Sequence, residues 1–294
     1  MTVVGAYCCS HGALMMTRGR KAPAGQRDSI YGAFDAMGNQ IRAAEADAVV
    51  LFGTDHGRIY SWDLVPALVL GVGDEALGIG DAGTPTVTWP VHGPIARTLL
   101  EESMRAGIDL AYSERMRIDH SFVAPLLLMG LAPDLPVVPF MLNCNAPPIP
   151  RLERSLQIGR AVGAVLNALP ERVVIIGTGG LSHWVGSPER REYLRSPAGT
   201  RWQDAAKLRM ELEDTGPINT AFDLAFLDAL ARGTCAQFLA EWPEDRIEEE
   251  AGNGAQEIRN WAIVAAAVPE RRARILSYEP VDEWLTGSAV VAFE

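Results

Sequence analysis

The sequence has few cysteines and no long apolar run, and each of these absences excludes a class of protein. Its four cysteines, Cys8, Cys9, Cys144 and Cys235, lack the spacing of a zinc knuckle or a thioredoxin motif, which predicts reduced core thiols. No window reaches the roughly 18 consecutive apolar residues that a membrane span needs. The N-terminus lacks the basic start and apolar stretch of a signal peptide, so we expect a cytoplasmic location.

Basic residues are also in deficit. The chain has 26 lysines and arginines against 37 aspartates and glutamates, a formal net charge of −11, which argues against a nucleic-acid partner because phosphate binding needs clustered basic side chains. Hydrophobic residues make up 48% and charged residues 21%, as in an ordinary globular protein. We find no internal repeat and no linker, and therefore expect residues 1–294 to form a single domain.

Short apolar runs alternate with segments of helical periodicity. This order predicts an α/β fold with a central mixed sheet flanked by helices. Strands are predicted at residues 3–8, 48–53, 67–72, 136–142 and 172–177, and a mixed, partly extended segment at 275–293. Helices are predicted at residues 28–46, 152–169, 202–212, 220–231, 236–242 and 256–267, with another around Ile95, Leu99 and Leu100.

Three of the five histidines follow predicted strands. His11, His56 and His183 come directly after the runs at 3–8, 48–53 and 172–177. In α/β sheets ligands bind beyond the carboxyl ends of the strands, so these side chains are expected to converge on one crevice. Two imidazoles and one carboxylate suit a mononuclear Fe(II) site, whereas three imidazoles suit catalytic zinc.

The candidate carboxylate is Glu257, in AGNGAQEIRNW. It opens a predicted helix after a turn that contains Gly252 and Gly254. Acidic residues in a first helical turn are also favoured by the helix dipole alone. Periodicity therefore leaves the role of Glu257 open.

Two histidines lie in polar or glycine-rich loops, where proton transfer is plausible chemistry. His120 lies in RIDHSFVAPL and His183 in GTGGLSHW, and their neighbours Asp119 and Ser182 are expected to orient them. His92, between apolar and Pro/Gly residues before a helix, is interpreted as structural. The glycine-rich loop lacks the residues of a P-loop, and Ser182 lacks a hydrolase elbow.

Six sequence blocks in this order resemble class III (LigB-type) extradiol ring-cleavage dioxygenases. They are CCSHGAL, VVLFGTDH, GVGDEALGIGD, GIDLAYSERMRIDHSF, VVIIGTGGLSH and AGNGAQEIRNW. The resemblance implies that His11, His56 and Glu257 hold a non-haem Fe(2+). It also implies that His120 is the proton donor and His183 the proton acceptor. One departure is Gln256, where some relatives carry histidine.

The implied activity is extradiol cleavage of a catechol-type substrate with O2 in aromatic catabolism, giving a ring-opened semialdehyde or dienoate. A homo-oligomer is also implied. A substituted catechol with an acidic group would need a cation, and five arginines lie near the key histidines in sequence: Arg18, Arg20, Arg58, Arg115 and Arg117. Two alternatives stay open, a non-catalytic metal- or peptide-binding module of the same fold and a zinc hydrolase.

Overall fold

The computed structural model describes residues 2–60, 64–131, 133–196 and 216–294. The strands in this part of the chain are β1 (Val3–Cys9), β2 (Ala48–Gly53), β3 (Leu68–Gly71), β4 (Glu75–Ile79), β5 (Thr86–Pro90), β6 (Ala111–Ser113), β7 (Arg117–Ile118), β8 (Val137–Leu142), β9 (Val173–Thr178), β10 (Ala273–Val281) and β11 (Thr286–Phe293). The helices are α1 (Ala13–Arg18), α2 (Ala24–Ala43), α3 (Gly93–Arg105), α4 (His120–Leu128), α5 (Leu152–Ala168), α6 (Pro188–Leu194), α7 (Thr220–Arg232), α8 (Cys235–Glu241), α9 (Glu244–Ala251) and α10 (Ile258–Ala267).

A mixed eight-stranded sheet forms the centre of the molecule, as predicted. Its order is β10-β11-β1-β9-β2-β8-β3-β6. The strands β1, β9, β2 and β8 run parallel, while β11 pairs antiparallel with β1 and β3 pairs antiparallel with β8. Every residue of β2, β8 and β9 is buried, which is typical of central parallel strands covered on both faces.

The helices cover this sheet. Helices α5 and α10 pack together, with α10 against β9, while α2 packs on β10 and α4 packs on β2. The four cysteines are buried and free, as predicted. Of the helices in the described ranges, not one combines the length and apolarity that a bilayer span requires.

The predicted strands and helices mostly agree with the structure, but helices α1, α4, α6 and α9 were not predicted and other elements differ. Helix α2 begins at Ala24, ahead of the N-cap predicted at Asp28. The segment predicted as partly extended near the C-terminus forms the antiparallel pair β10 and β11. A second sheet, of order β5-β4-β7, was not predicted because its strands are short and partly exposed. The helix predicted at 202–212 lies outside the described residues.

The parallel strands bring three loops to one edge of the sheet. Cys9, at the end of β1, pairs with Thr178 at the end of β9, and Phe52 of β2 pairs with Gly177 of β9. The loops that begin at these strand ends carry His11, His56 and His183. The predicted convergence of the three strand-end histidines therefore follows from the register of neighbouring parallel strands.

Close packing of α5 against α10 depends on glycine. A Cβ atom at Gly159 would lie 2.3 Å from the carbonyl oxygen of Ile263, and one at Gly163 would lie 2.4 Å from that of Ala267. We expect Gly159→Ala to lower the free energy of unfolding by about 1–3 kcal/mol, because the helices must separate. Urea unfolding of the purified variant measures this change.

Gly32 in α2 provides the matched control. It is also helical, but a Cβ there would meet nothing within 4 Å. Gly32→Ala is expected to raise the unfolding free energy by about 0.5–1 kcal/mol, because alanine has the higher helix propensity. Equal effects of the two substitutions would refute the packing explanation.

Candidate metal centre and active site

The five residues that the sequence predicts as metal ligands or proton-transfer groups line one cavity. His11, His56 and His183 come from the loops after β1, β2 and β9, and His120 is the first residue of α4. Glu257 ends the 3-10 turn Asn253–Glu257, directly before α10. All five line a cavity of about 150 Å³ at the carboxyl edge of the central sheet.

Glu257 joins two of the histidines. Its side chain is 1% exposed, and its Oε1 lies 3.1 Å from His56 Nε2 while its Oε2 lies 3.3 Å from His11 Nε2. The backbone N–H of Gly180 donates to Oε2 at 2.7 Å, which fixes the carboxylate from the opposite side. The Nε2 atoms of two histidines therefore each lie beside one oxygen of the same carboxylate.

This donor set fits a metal ion. Both ring nitrogens of His11 are buried, and neither makes a well-aligned hydrogen bond among the described residues, although Nε2 lies 3.3 Å from Glu257 Oε2; this is costly for polar atoms unless something else binds them. Ligand atoms that share one ion at bonds of about 2.1 Å and near-right angles lie about 3 Å apart. The separations of the Glu257 oxygens from the two imidazole nitrogens match that spacing.

The charges in the site favour a cation. Burial lowers the pKa of His11, and neutral imidazole is the form that ligates metals. Burial raises the pKa of Glu257, but His11 and His56 outweigh it and hold this pKa well below its ordinary value. Burial also lowers the pKa of His56, yet Asp119 and Glu257 reverse this and raise it well above normal. Metal binding would therefore displace a proton from His56.

Asp119 orients His56. The prediction that it orients its sequence neighbour His120 was wrong. Its Oδ2 accepts the backbone N–H of His56 at 3.0 Å and contacts His56 Nδ1 at 2.9 Å. Since Nδ1 donates to the carboxylate, Nε2 is the nitrogen that faces Glu257. Carboxylates hold metal-binding histidines in this way in many proteins. The expectation was wrong because the Asp119 oxygens accept N–H groups from His56 and Ser121, although the carboxylate lies within 4.8 Å of a His120 ring nitrogen.

His120 lies beside the two other histidines. Its ring stacks on that of His56 with 4.2 Å between centroids, and its Nδ1 contacts Asp81 Oδ2 at 2.6 Å. Nitrogen atoms of His11, His56 and His120 lie within 4.8 Å of one another. Geometry alone thus permits either Glu257 or His120 as the third ligand beside His11 and His56.

His183 faces the same cavity from the other side. Its Nδ1 donates to the carbonyl of Leu181 at 2.9 Å, and its Nε2 lies 3.9 Å from Glu257 Oε2. Gly254 leaves room for this ring, because a Cβ there would lie 2.2 Å from Nε2. Burial lowers the pKa of His183, which favours the neutral ring with its lone pair on Nε2.

Ser182 does not orient His183, contrary to the prediction. Its hydroxyl donates to Asp223 Oδ2 at 2.9 Å and its backbone N–H donates to Oδ1 at 2.7 Å. Tyr278 donates to the same carboxylate. Burial raises the pKa of Asp223 to about 6. This network secures the backbone of the loop that carries His183, while the ring itself is held by the Leu181 carbonyl.

Two further predicted residues lie outside the cavity lining. His92 is the N-cap of α3, where its Nδ1 accepts the backbone N–H of Ile95 at 3.3 Å, consistent with a structural role. Gln256 donates to the Glu244 carbonyl at 2.8 Å and accepts from the buried Arg259. Gln256, where some relatives carry histidine, therefore helps to hold the turn that ends at Glu257 and does not contact the cavity.

Arg58 alone among the five arginines considered lines the cavity; Arg18, Arg20, Arg115 and Arg117 do not. Asp55 holds the loop after β2 by accepting the backbone N–H groups of Arg58, Ile59 and Tyr60 at 2.9–3.0 Å. Sequence proximity alone did not distinguish these arginines. The Asp55 carboxylate thus caps three successive backbone N–H groups, as Asp and Asn side chains do in turns. This local contact fixes the position of Arg58.

Comparisons with known proteins identify relatives of this chain. Residues 5–290 match the family model described as the catalytic LigB subunit of aromatic ring-opening dioxygenase. A 2,3-dihydroxyphenylpropionate/2,3-dihydroxicinnamic acid 1,2-dioxygenase of Photorhabdus laumondii is 32% identical over 309 residues, covering 97% of this chain and 95% of the relative. The enzyme of the same name from Escherichia coli O139:H28 is 32% identical, covering 96% and 95%. A crystal structure of an uncharacterized Escherichia coli K12 protein shares the fold, with a TM-score of 0.55, 12% identity and 99% coverage of both chains.

Proposed function

The chain belongs to the LigB family of aromatic ring-opening dioxygenases and is an extradiol dioxygenase of aromatic catabolism; from this premise we propose that His11, His56 and Glu257 hold an Fe(II) ion. The observation that carries the proposal is the buried Glu257 carboxylate, which lies 3.1 Å and 3.3 Å from the Nε2 atoms of the two histidines. Two imidazoles and a carboxylate are the donor set of non-haem Fe(II) oxygenases.

Glu257 is the better third ligand than His120. Its carboxylate is almost fully buried and faces two imidazole nitrogens, so its negative charge needs a cation. His120 instead has its Nδ1 bound to Asp81 and its ring stacked on His56. We therefore assign His120 a part in the chemistry beside the metal.

His183 serves as the proton acceptor. Because its Nδ1 donates to Leu181, the Nε2 lone pair faces the cavity and can take a proton from a catechol hydroxyl. His120 serves as the proton donor: in its doubly protonated ring, Nδ1–H donates to Asp81 and the Nε2 proton is transferred. When bound, Fe(II) would supply adjacent positions for the catechol oxygens and dioxygen and a route for electrons between them.

The metal assignment is tested by removal and replacement. Protein treated with a chelator is expected to lose turnover, and anaerobic addition of Fe(II) followed by a catechol and oxygen should give a yellow ring-opened product. Zn(II) should restore none, because zinc has no redox chemistry. Zinc in place of iron in the purified protein, found by elemental analysis, would favour a three-histidine zinc hydrolase. No product from any catechol with bound iron would favour a non-catalytic binding module.

Catechols with an acidic side chain are the proposed substrates. The relatives are named for 2,3-dihydroxyphenylpropionate and 2,3-dihydroxicinnamic acid, both of which carry a carboxylate. Among the described residues, Arg58 is the one lysine or arginine that lines the cavity. Its guanidinium is an apt partner for a carboxylate, since the two groups form paired hydrogen bonds.

Replacing Arg58 with methionine is expected to raise KM for a carboxylated catechol by about threefold to tenfold, since a partly exposed ion pair contributes modestly. Unsubstituted catechol should be unaffected. Steady-state kinetics with both substrates measure the difference. Arg115→Met is the control, because Arg115 lies outside the cavity lining. Equal changes for both substrates would exclude Arg58 as the carboxylate partner.

We also propose that residues 1–294 form one catalytic domain, and that the enzyme is a cytoplasmic homo-oligomer. The main support for one domain is the continuous eight-stranded sheet, which joins strands from the N-terminal β1 to the C-terminal β11. Oligomerisation is proposed from the family resemblance. Light scattering of the purified enzyme tests it, with a monomer as the contrary result.

A further inference from the structure

Asp81 holds His120 at two points. Its Oδ1 accepts the backbone N–H of His120 at 2.9 Å, and its Oδ2 contacts the ring Nδ1 at 2.6 Å. Asp81 lies 39 positions before His120 and has a side chain that is 12% exposed. One carboxylate thus fixes both the main chain and the ring of the histidine.

The loop that presents Asp81 is itself well held. It joins β4 to β5 in the small sheet, and it places Gly80, Ala82 and Gly83 at positive φ of 75°, 49° and 80°. The backbone N–H and hydroxyl of Thr84 both donate to the Asp81 carbonyl, at 2.8 Å and 2.6 Å. A left-handed conformation is unfavourable for alanine, so this tight turn persists only because its surroundings impose it.

Asp81 is the hydrogen-bond partner of the His120 ring within the described part of the chain. Other groups near the ring are the imidazoles of His56, stacked at 4.2 Å, and of His11, edge-on at 5.8 Å, and the carboxylate of Asp119. Ring stacking does not distinguish Nδ1 from Nε2, whereas a hydrogen bond at one nitrogen does. The carboxylate of Asp81 therefore determines which nitrogen faces the cavity.

A second cation site at this position is a weaker explanation. Ligand atoms of Asp81, Asp119 and His120 do lie within 4.8 Å of one another. However, both carboxylates already accept N–H groups: Asp81 from His120, and Asp119 from His56 and from Ser121 at 2.8 Å. Oxygens aimed at N–H donors orient those donors and are poorly available to a metal.

We propose that Asp81 is a positioning residue for the proton donor. It would hold the Nδ1–H of the His120 ring so that Nε2 points at the substrate; in the doubly protonated ring, Nε2 carries the proton to be transferred. The inference rests on the proposed role of His120. The arrangement is comparable to the orientation of a catalytic histidine by a buried aspartate in serine proteases, where the loss of that carboxylate costs about 10⁴ in kcat.

Asp81→Asn tests the inference. Asparagine keeps the size of the side chain, but its amide nitrogen must face one of the two N–H groups, so the ring loses its fixed orientation. We expect kcat to fall about 10²-fold or more, while KM for the catechol changes less than about threefold. Iron content and melting temperature should stay at their wild-type values. Asp74→Asn, on the exposed turn before β4, is the matched control and should leave kcat unchanged.

Two further variants make the outcome decisive. Asp81→Glu restores a carboxylate and should recover part of the lost kcat. If Asp81→Asn does not fold, Asp81→Ser is used instead, and the same loss of kcat is expected. A kcat within about threefold of wild type, or a loss explained by KM or by missing iron, would overturn the proposal. A fully active His120→Gln would instead refute the proposed role of His120, so the two failures are distinguishable.

Discussion

Replacing Glu257 with glutamine is expected to weaken Fe(II) binding by more than about 100-fold, and turnover should fall with the metal content. The substitution keeps the shape of the side chain but removes the negative charge that lies between the Nε2 atoms of His11 and His56. It also places an amide N–H group near other N–H donors, including that of Gly180. Elemental analysis after desalting and titration of the apo-protein with Fe(II) under anaerobic conditions measure the loss.

Glu249→Gln is the control, because Glu249 is an exposed glutamate of α9 outside the cavity lining. It should bind iron like the wild type. If Glu257→Gln kept its iron while His120→Gln lost it, the third ligand would be His120, and the site would be the three-histidine arrangement that the cluster of ring nitrogens also permits.

Replacing His183 with glutamine is expected to leave the iron in place and to lower kcat by about 10²–10⁴-fold, the usual contribution of a general base. The ring does not bridge the metal ligands, since its Nε2 lies 3.9 Å from Glu257 Oε2. Burial lowers the pKa of His183 below 6.5, so the neutral, proton-accepting ring prevails at pH 7. On the acidic side, the wild-type rate should therefore fall as the pH is lowered through that pKa. Oxygen uptake with a carboxylated catechol measures both effects.

His92→Asn provides a histidine control for this experiment. His92 caps α3, and asparagine is also a good N-cap, so stability and turnover should be retained. Loss of iron in His183→Gln would show that this residue is a ligand. Near-normal turnover with normal iron content would show that another group accepts the proton.

The strand-end histidines could be predicted because they depend on local sequence and on a general property of parallel sheets. Each apolar run ends where a polar loop begins, and neighbouring parallel strands bring such loops together. His11, His56 and His183 do meet in this way. Glu257 could not be selected on the same grounds, because a glutamate before a helix has an ordinary structural explanation. Its assignment needed the family resemblance.

The orienting contacts could not be predicted from the sequence because they join distant segments. Asp119 was expected to orient the adjacent His120, but it contacts His56, 63 positions away. The partner of His120 is Asp81, on a turn of the small sheet whose short strands have little hydrophobic periodicity. Adjacency in sequence is a poor guide at a helix start, where an N-cap carboxylate such as Asp119 accepts backbone N–H groups instead.

The most direct test of the proposed metal centre is anomalous diffraction at the iron edge from crystals of the Fe(II)-loaded enzyme, prepared without oxygen. We predict one anomalous peak in the described cavity, within bonding distance of His11 Nε2, His56 Nε2 and a Glu257 oxygen, with His120 and His183 beside it. A peak bound by His120 in place of Glu257, or one between Asp81 and Asp119, would contradict the assignment.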